Sequence, residues 1–216
     1  MRIRAVLWDL DGTLLDTLDD LAASTNAALA ACGLPPRTRE EVRAFVGNGV
    51  RKLIERAVGD AQHPQVQQAY DAFVAHYAAH SRDATRPYDG IPQLLAALKE
   101  RGVLQGVVSN KIDFAVRELC GVYFPGMMEV AVGDDPSRRR KPAPDSVLEA
   151  MRRLGVTPEE TVYVGDSDVD VITAANAGVC CVAAAWGFRD EECLTAAGAA
   201  HIAHTPQELD DILTAL

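Results

Sequence analysis

The chain has 216 residues, of which 48% are apolar and 24% charged, and these proportions exclude a disordered, collagen-like or low-complexity chain. Its 31 acidic residues outnumber its 21 basic residues, for a net charge of −10, which argues against nucleic acid as a partner because phosphate backbones would be repelled. The length allows one domain with a smaller second one.

The cysteines and the apolar runs indicate a cytoplasmic protein. There are five cysteines without CxxC spacing, an odd number that predicts free thiols in a reducing compartment. The first apolar stretch is interrupted by Asp9, before a secretory signal core could form. The longest apolar run, residues 177–188, is too short for the ~20 residues of a membrane-spanning helix. We expect no membrane association and either a monomer or a homodimer.

The first third of the chain predicts one strand followed by helices. Residues 3–8 form a short apolar run that ends abruptly at Asp9, as a buried parallel strand does. From Thr17 to about residue 85, apolar residues recur at helical spacing and predict four helices. Thr17 with Asp20 and Thr38 with Glu41 resemble capping boxes at two helix starts. Residues 15–85 are therefore predicted to be an all-helical block.

Strands and helices alternate along the rest of the chain. Apolar runs predict strands at residues 103–108, 128–132, 161–164 and 179–184, and helices lie between them around 114–119, 145–154 and 169–175. This alternation predicts an α/β fold with a doubly wound parallel sheet, a Rossmann-like core. We expect a core domain of residues 1–14 plus 86–216, with residues 15–85 inserted after the first strand as a helical cap domain.

The residues that follow the predicted strands are unusually polar. Ligands of open parallel sheets bind outside the carboxyl ends of the strands, so these positions form the expected site. Several carboxylates converging there would repel one another without a hard cation, and ligands that are all oxygen favour Mg²⁺. Together with a lysine and a hydroxyl, they indicate phosphoryl chemistry. The polar residues at the strand ends and on the connection after the third strand are Asp9, Asp11, Ser109, Asn110, Lys141, Asp166 and Asp170.

The two-residue step from Asp9 to Asp11 has a physical interpretation. In an extended segment both side chains point to the same side, and the turn at Gly12 aims loop amides at an anion. One carboxylate can then attack phosphorus while the other handles a proton. The alternative is an Asx turn that only closes the first strand, since Asp and Gly are common turn residues.

Four ordered segments resemble the motifs of the haloacid dehalogenase superfamily. They are Asp9-Leu10-Asp11-Gly12-Thr13, then Ser109, then Lys141-Pro142, and finally Gly165-Asp166-Ser167-Asp168-Val169-Asp170. The helical insert is similar to the small cap of one subgroup. Residues 45–49, 53–57 and 108–111 most resemble bacterial phosphoglycolate phosphatases.

This resemblance implies a role for each matching residue. Asp9 would be the nucleophile that forms an aspartyl phosphate, and Asp11 the acid and base. Ser109 and Asn110 would bind the substrate's phosphoryl group, and Lys141 would neutralise charge.

The same resemblance implies a magnesium site. The Mg²⁺ ligands would be Asp9, the main-chain carbonyl of Asp11, and Asp166. Asp170 would bind the metal through water or support the other ligands.

The resulting prediction is a Mg²⁺-dependent phosphomonoesterase acting on a small phosphorylated metabolite, with 2-phosphoglycolate as the leading candidate. The alternatives are a phosphomutase similar to β-phosphoglucomutase, a pyrophosphatase of the same superfamily, and a phosphate-binding module without catalysis.

The turn Gly47-Asn48-Gly49 is the predicted recognition element of the cap. Its glycines allow close approach of the backbone, and its amides precede a helix whose N-terminus favours anions. The Asn48 amide and the Arg51 or Arg43 guanidinium could bind a substrate carboxylate. Alternatively, the turn only reverses the chain and the arginines are solvated.

Overall fold

The computed structural model describes residues 3–216 and divides into two compact units. One unit comprises the residues up to Leu15 together with Pro87–Leu216, and the other comprises Asp16–Arg86. The strands are β1 (Ala5–Trp8), β2 (Leu15–Asp16), β3 (Arg86–Pro87), β4 (Leu104–Ile112), β5 (Val130–Asp134), β6 (Thr161–Gly165), β7 (Cys180–Ala184) and β8 (His201–Ala203). The helices are α1 (Leu18–Ala31), α2 (Arg39–Phe45), α3 (Val50–Val58), α4 (Val66–His80), α5 (Ile91–Glu100), α6 (Asp113–Tyr123), α7 (Asp145–Leu154), α8 (Asp168–Ala177), α9 (Glu191–Ala196) and α10 (Pro206–Ala215), with a 3₁₀ turn at Pro158–Glu160.

Six strands form one parallel sheet in the order β5-β4-β1-β6-β7-β8. Numbered along the chain within this sheet, the order is 3-2-1-4-5-6, the arrangement of Rossmann-like domains. The predicted fold class is therefore confirmed. In such sheets the chain runs outward in both directions from the first strand, and ligands bind at that switch point. Here the switch point lies at β1, the strand that ends at Trp8, directly before Asp9.

Successive side chains of β1 are buried on opposite faces of the sheet. Val6 and Trp8 belong to a cluster that includes apolar residues of α5, α6 and α10. Leu7 belongs to the other cluster, with Tyr163 and residues of α7 and α8. All three β1 side chains are fully buried. Because helices cover both faces of the sheet, the end of β1 is held rigidly at the start of the polar loop that begins with Asp9.

In the second unit, α1 packs against α2 and α4. The capping box predicted at Thr38 is confirmed, because Thr38 Oγ1 accepts a bond from Glu41 N at 3.2 Å and Glu41 Oε2 accepts one from Thr38 N at 2.7 Å. The box predicted at Thr17 and Asp20 is wrong. The Thr17 side chain makes no cap bond, and the Asp20 carboxylate instead accepts bonds from the Thr85 amide and hydroxyl at 2.8 and 2.7 Å.

The structure also contains elements that the apolar pattern did not predict. Strand β4 continues past Val108 to Ile112, and α9, β8 and α10 complete the C-terminal part.

The five cysteines are free thiols, as predicted. Across residues 3–216, every helix is either too short or too polar to cross a membrane.

Candidate functional site

Asp9 follows β1 directly and is largely buried. Its Oδ1 atom accepts a bond from Leu10 N at 2.7 Å and lies 3.0 Å from Lys141 Nζ. Burial raises the pKa of Asp9 to about 7, and the nearby Asp170 charge adds to this increase although Lys141 opposes it. The carboxylate is therefore costly to ionise without an additional cation.

Lys141 is a buried cation of the site. Its Nζ lies 2.7 Å from Asp170 Oδ1 and donates to Tyr163 OH at 3.0 Å and to the Val108 carbonyl at 3.3 Å, in addition to its contact with Asp9. Burial alone would lower the pKa of this ammonium, but the Asp170 and Asp9 carboxylates outweigh it and raise the pKa. Lys141 therefore remains charged.

Asp170 is fully buried at the start of α8. Its Oδ1 contacts Lys141 and accepts from Tyr163 OH at 3.1 Å, whereas Oδ2 accepts from Ser167 Oγ at 2.6 Å and Ser167 N at 3.1 Å. Both oxygens thus have protein partners. A solvated aspartate at a helix start would be exposed, and Asp170 is 0% exposed.

Asp166 follows β6 and is held from two sides. Thr13 Oγ1 donates to its Oδ1 at 2.9 Å, and Phe188 N donates to its Oδ2 at 2.7 Å. Burial, followed by the charges of Asp170 and Asp9, raises the pKa of Asp166 to about 8. Gly12 has φ 84°, and a Cβ there would lie 2.2 Å from Asp166 Oδ2. A glycine is therefore required at position 12 on both counts.

The end of β4 contributes three further polar residues. Ser109 Oγ accepts from Lys111 N at 3.3 Å. The Asn110 side chain accepts from Lys141 N at 2.9 Å and donates to the Lys141 carbonyl at 3.1 Å, so it fixes the main chain that carries the buried lysine. Lys111 Nζ donates to Asp11 Oδ1 at 2.8 Å and Oδ2 at 3.1 Å.

The donor set at this site fits a hard divalent cation. Asp9, Asp166 and Asp170 each offer an oxygen atom, and these atoms lie within 4.8 Å of one another. All three are carboxylates, the ligands that Mg²⁺ prefers. The raised pKa values of Asp9 and Asp166 mean that Lys141 compensates their negative charge only in part. Asp170 already pairs with the Lys141 ammonium at 2.7 Å, whereas the two partners of Asp166 are neutral donors. Asp9 and Asp166 are therefore better suited than Asp170 to direct coordination.

Asn48 and Arg51 lie in the helical unit rather than with the residues above. Asn48 Oδ1 accepts from Arg56 Nη2 at 2.7 Å. Arg51 donates to Glu55 Oε1 at 3.1 Å and to Gln67 Oε1 at 2.7 Å. Arg51 therefore has partners within its own unit, whereas the amide nitrogen of Asn48 has no hydrogen-bond partner among residues 3–216 and can donate to an anion.

Sequence reasoning missed three contributors to the site: Thr13, Lys111 and Tyr163. Thr13 and Lys111 lie inside segments already singled out, but the residue type alone does not show which way the side chain points. Tyr163 lies in an apolar strand, where a buried aromatic residue is normally core. Its hydroxyl donates to the Val108 carbonyl at 3.2 Å or to Asp170, beside Lys141.

Known proteins resemble this chain over most of its length. A family model described as haloacid dehalogenase-like hydrolase matches residues 6–184. An N-acetylmuramic acid 6-phosphate phosphatase of Pseudomonas aeruginosa is 38% identical, covering 99% of this chain and 96% of that protein. A phosphoglycolate phosphatase of Xylella fastidiosa is 36% identical, with coverage of 88% and 83%.

A solved structure agrees with these relatives. The protein from Lactobacillus delbrueckii subsp. bulgaricus, provisionally described as a phosphoglycolate phosphatase, superposes with a TM-score of 0.93 at 35% identity over 99% of both chains. The resemblance identified from the four motifs is confirmed by these similarities, as is the prediction of an enzyme. The chain belongs to the haloacid dehalogenase-like hydrolase family, among its phosphatases.

Proposed function

We propose that this protein is a Mg²⁺-dependent phosphomonoesterase that hydrolyses a small phosphorylated metabolite through a phosphorylated Asp9. The observation that carries the proposal is the position of Asp9: it stands at the switch point of the sheet, 3.0 Å from a buried lysine and within 4.8 Å of two further carboxylates. A nucleophile and charge compensation for a phosphoryl group are thus assembled at one place.

The proposed reaction has two displacements. In the first, a carboxylate oxygen of Asp9 forms a bond to phosphorus, the bond from phosphorus to the ester oxygen breaks, and Asp11 gives that oxygen a proton. In the second, Asp11 removes a proton from a water molecule, which attacks phosphorus and releases inorganic phosphate and Asp9. Ser109 binds a phosphoryl oxygen, and Lys141 balances the charge of Asp9 and the phosphoryl group.

A bound Mg²⁺ would neutralise charge on the transferring phosphoryl oxygens. The carboxylates of Asp9 and Asp166 and the main-chain carbonyl of Asp11 are the proposed ligands. We assign Asp170 and Asn110 to support, because Asp170 fixes the Lys141 ammonium and Asn110 fixes the Lys141 main chain. The Asp170 carboxylate would contact a bound metal only through water.

Metal binding is expected to depend on pH in a defined direction. A carboxyl whose pKa rises on folding stabilises the protein at low pH, and this contribution is lost as the pH rises through the folded pKa, here about 7 for Asp9 and 8 for Asp166. The metal-free protein should therefore lose stability as the pH rises from about 4 to about 8, by about 1.4 kcal/mol per pH unit for each carboxyl that is protonated only in the folded state, and little further above that range. Thermal unfolding should show a larger stabilisation by Mg²⁺ at about pH 8.5 than at about pH 6.

Variants and a second metal test the same prediction. Asp166→Asn should remove most of the Mg²⁺ response, whereas Asp89→Asn, an exposed aspartate of the same unit, should retain it. Ca²⁺ should support little turnover, because its bonds of about 2.3 to 2.6 Å exceed the roughly 2.0 to 2.1 Å of Mg²⁺. An equal Mg²⁺ response in Asp166→Asn, or full turnover in excess chelator, would contradict the metal assignment.

Two substrates deserve direct comparison. Some relatives are named for phosphoglycolate, and one that spans nearly the whole chain is named for N-acetylmuramic acid 6-phosphate. Both molecules are phosphate monoesters that carry a carboxylate. We therefore propose a carboxylate-bearing phosphomonoester as the substrate class, with 2-phosphoglycolate first and the acidic sugar 6-phosphate second. Asn48, with Arg51, is the proposed carboxylate-recognition element of the helical unit.

The test is phosphate release from a panel of esters in Mg²⁺. It includes 2-phosphoglycolate, N-acetylmuramic acid 6-phosphate, glucose 6-phosphate, 4-nitrophenyl phosphate and pyrophosphate. The two carboxylate-bearing esters should have the highest kcat/KM. Asn48→Ala should lower their kcat/KM about tenfold, the effect of losing a charge-assisted hydrogen bond, and leave 4-nitrophenyl phosphate within about twofold.

Arg39→Ala is the matched control, because Arg39 is an exposed arginine of the same unit that pairs with Asp19. Preferred hydrolysis of pyrophosphate would favour the pyrophosphatase alternative. Isomerisation of a sugar phosphate without phosphate release would favour the phosphomutase. Phosphate binding without turnover of any ester would leave only the binding module.

A further inference from the structure

Lys111 is a second buried lysine at the site, and the mechanism above does not use it. Its side chain is 3% exposed, and its Nζ contacts both carboxylate oxygens of Asp11, whose side chain is 13% exposed. Lys141 contacts Asp9 instead. The two carboxylates proposed to carry out chemistry therefore contact different lysines.

An irregularity in the sheet places Lys111 at this position. Val108 pairs with Val132 and Ile112 pairs with Asp134, so β4 advances four residues while β5 advances two. The additional length lies in residues 109–111, which leave the regular ladder. Such bulges redirect side chains next to active sites. Lys111 consequently points to the loop after β1 rather than across the sheet.

Gly133 on the neighbouring strand makes room for this bulge. A Cβ at position 133 would lie 2.9 Å from the Lys111 carbonyl and 2.3 Å from Asp113 Cα. The Gly133 amide donates to Asp113 Oδ1 at 2.9 Å, which ties the end of β4 to β5. The absence of a side chain at Gly133 therefore allows the main chain of Lys111 to cross close to β5 and fixes where its side chain starts.

We propose that Lys111 is a positioning residue that holds the Asp11 carboxyl in place for proton transfer. The inference rests on the proposed function, because it assumes that Asp11 exchanges protons with the ester oxygen and with water. Contact with both oxygens restricts rotation of the Asp11 side chain, which a single bond would not do. An ammonium can also donate to the carbonyl oxygen of a protonated carboxyl, so the contact persists in both halves of the reaction.

Single-turnover measurements with two leaving groups test this role. A nitrophenolate leaves without a proton, whereas the alkoxide of 2-phosphoglycolate requires one. Lys111→Met should slow release of the alcohol from 2-phosphoglycolate by about 10- to 100-fold, within the range of proton-transfer effects. It should slow the nitrophenol burst by less than about threefold, because that step does not depend on the position of Asp11. Lys99→Met, at an exposed lysine of α5, is the matched control and should change neither rate.

A double variant separates action through Asp11 from a general structural effect. In an Asp11→Asn background, Lys111→Met should cause almost no further loss, because residues that act as a unit are not additive. Equal losses on both leaving groups, or an additive loss in the double variant, would overturn the proposal. Should the Met variant unfold, Lys111→Gln removes the positive charge, keeps an N–H donor group and allows the same comparison. Failure of the wild-type protein to release phosphate from any ester would instead contradict the proposed function itself.

Discussion

Asp9→Asn is expected to abolish phosphate ester turnover, with kcat reduced at least about 10⁴-fold, the scale seen when a catalytic nucleophile is removed. Asparagine has nearly the same volume as aspartate, and its carbonyl oxygen can still accept the bond from Leu10 N. Its amide cannot form a bond to phosphorus as a carboxylate does. The fold should survive, because ionised Asp9 is disfavoured by burial and by Asp170. We expect an unfolding temperature at about pH 8 no lower than that of the wild-type protein.

The decisive measurement is covalent phosphate on the protein. After mixing with substrate and quenching in acid, mass spectrometry should detect a phosphorylated protein for wild type and for the Asp89→Asn control, but not for Asp9→Asn. Mass analysis of the variant also excludes deamidation back to aspartate. Turnover at the wild-type rate in a verified Asn protein would assign the nucleophile to a different group.

Lys141→Met should produce the largest loss of stability. Lys141 is 4% exposed and pairs with Asp9 and Asp170. Removing one partner of a buried ion pair leaves an uncompensated charge and costs about 3 to 5 kcal/mol. The free energy of unfolding, measured by denaturant titration at about pH 8 without Mg²⁺, should fall by that amount. Turnover should be lost as well, because the charge on Asp9 and the phosphoryl group is no longer balanced.

A double-mutant cycle checks the physical reason. Adding Asp170→Asn to Lys141→Met removes one of the two stranded carboxylates, so it should recover part of the lost stability. Lys99→Met should cost less than about 1 kcal/mol, as is usual for surface substitutions. A loss of less than about 1 kcal/mol in Lys141→Met would contradict the buried pair, as would simple additivity in the double variant.

The sequence by itself determined the fold class and the positions from which the site is built. Its apolar runs alternate with helical periodicity, and parallel strands must end at the same edge of their sheet. Polar residues directly after the strands predicted at residues 3–8, 103–108 and 161–164 were therefore expected to lie near one another before any contact was known. Asp9 and Asp166 are recognisable in this way because each follows a short buried strand, a local feature of the chain.

Only the tertiary structure decided which groups pair with each other. Lys111 and Asp11 are 100 residues apart in the sequence, and their contact depends on the bulge at the end of β4 and on Gly133. Asp20 resembled a helix cap locally, but a partner 65 residues away donates two hydrogen bonds to its carboxylate. Tyr163 has the pattern of a core residue, and its hydroxyl reaches Lys141 only because β6 lies beside β1. Strand register and long-range hydrogen bonds depend on the whole fold, because no local pattern encodes which distant donor a buried carboxylate will meet.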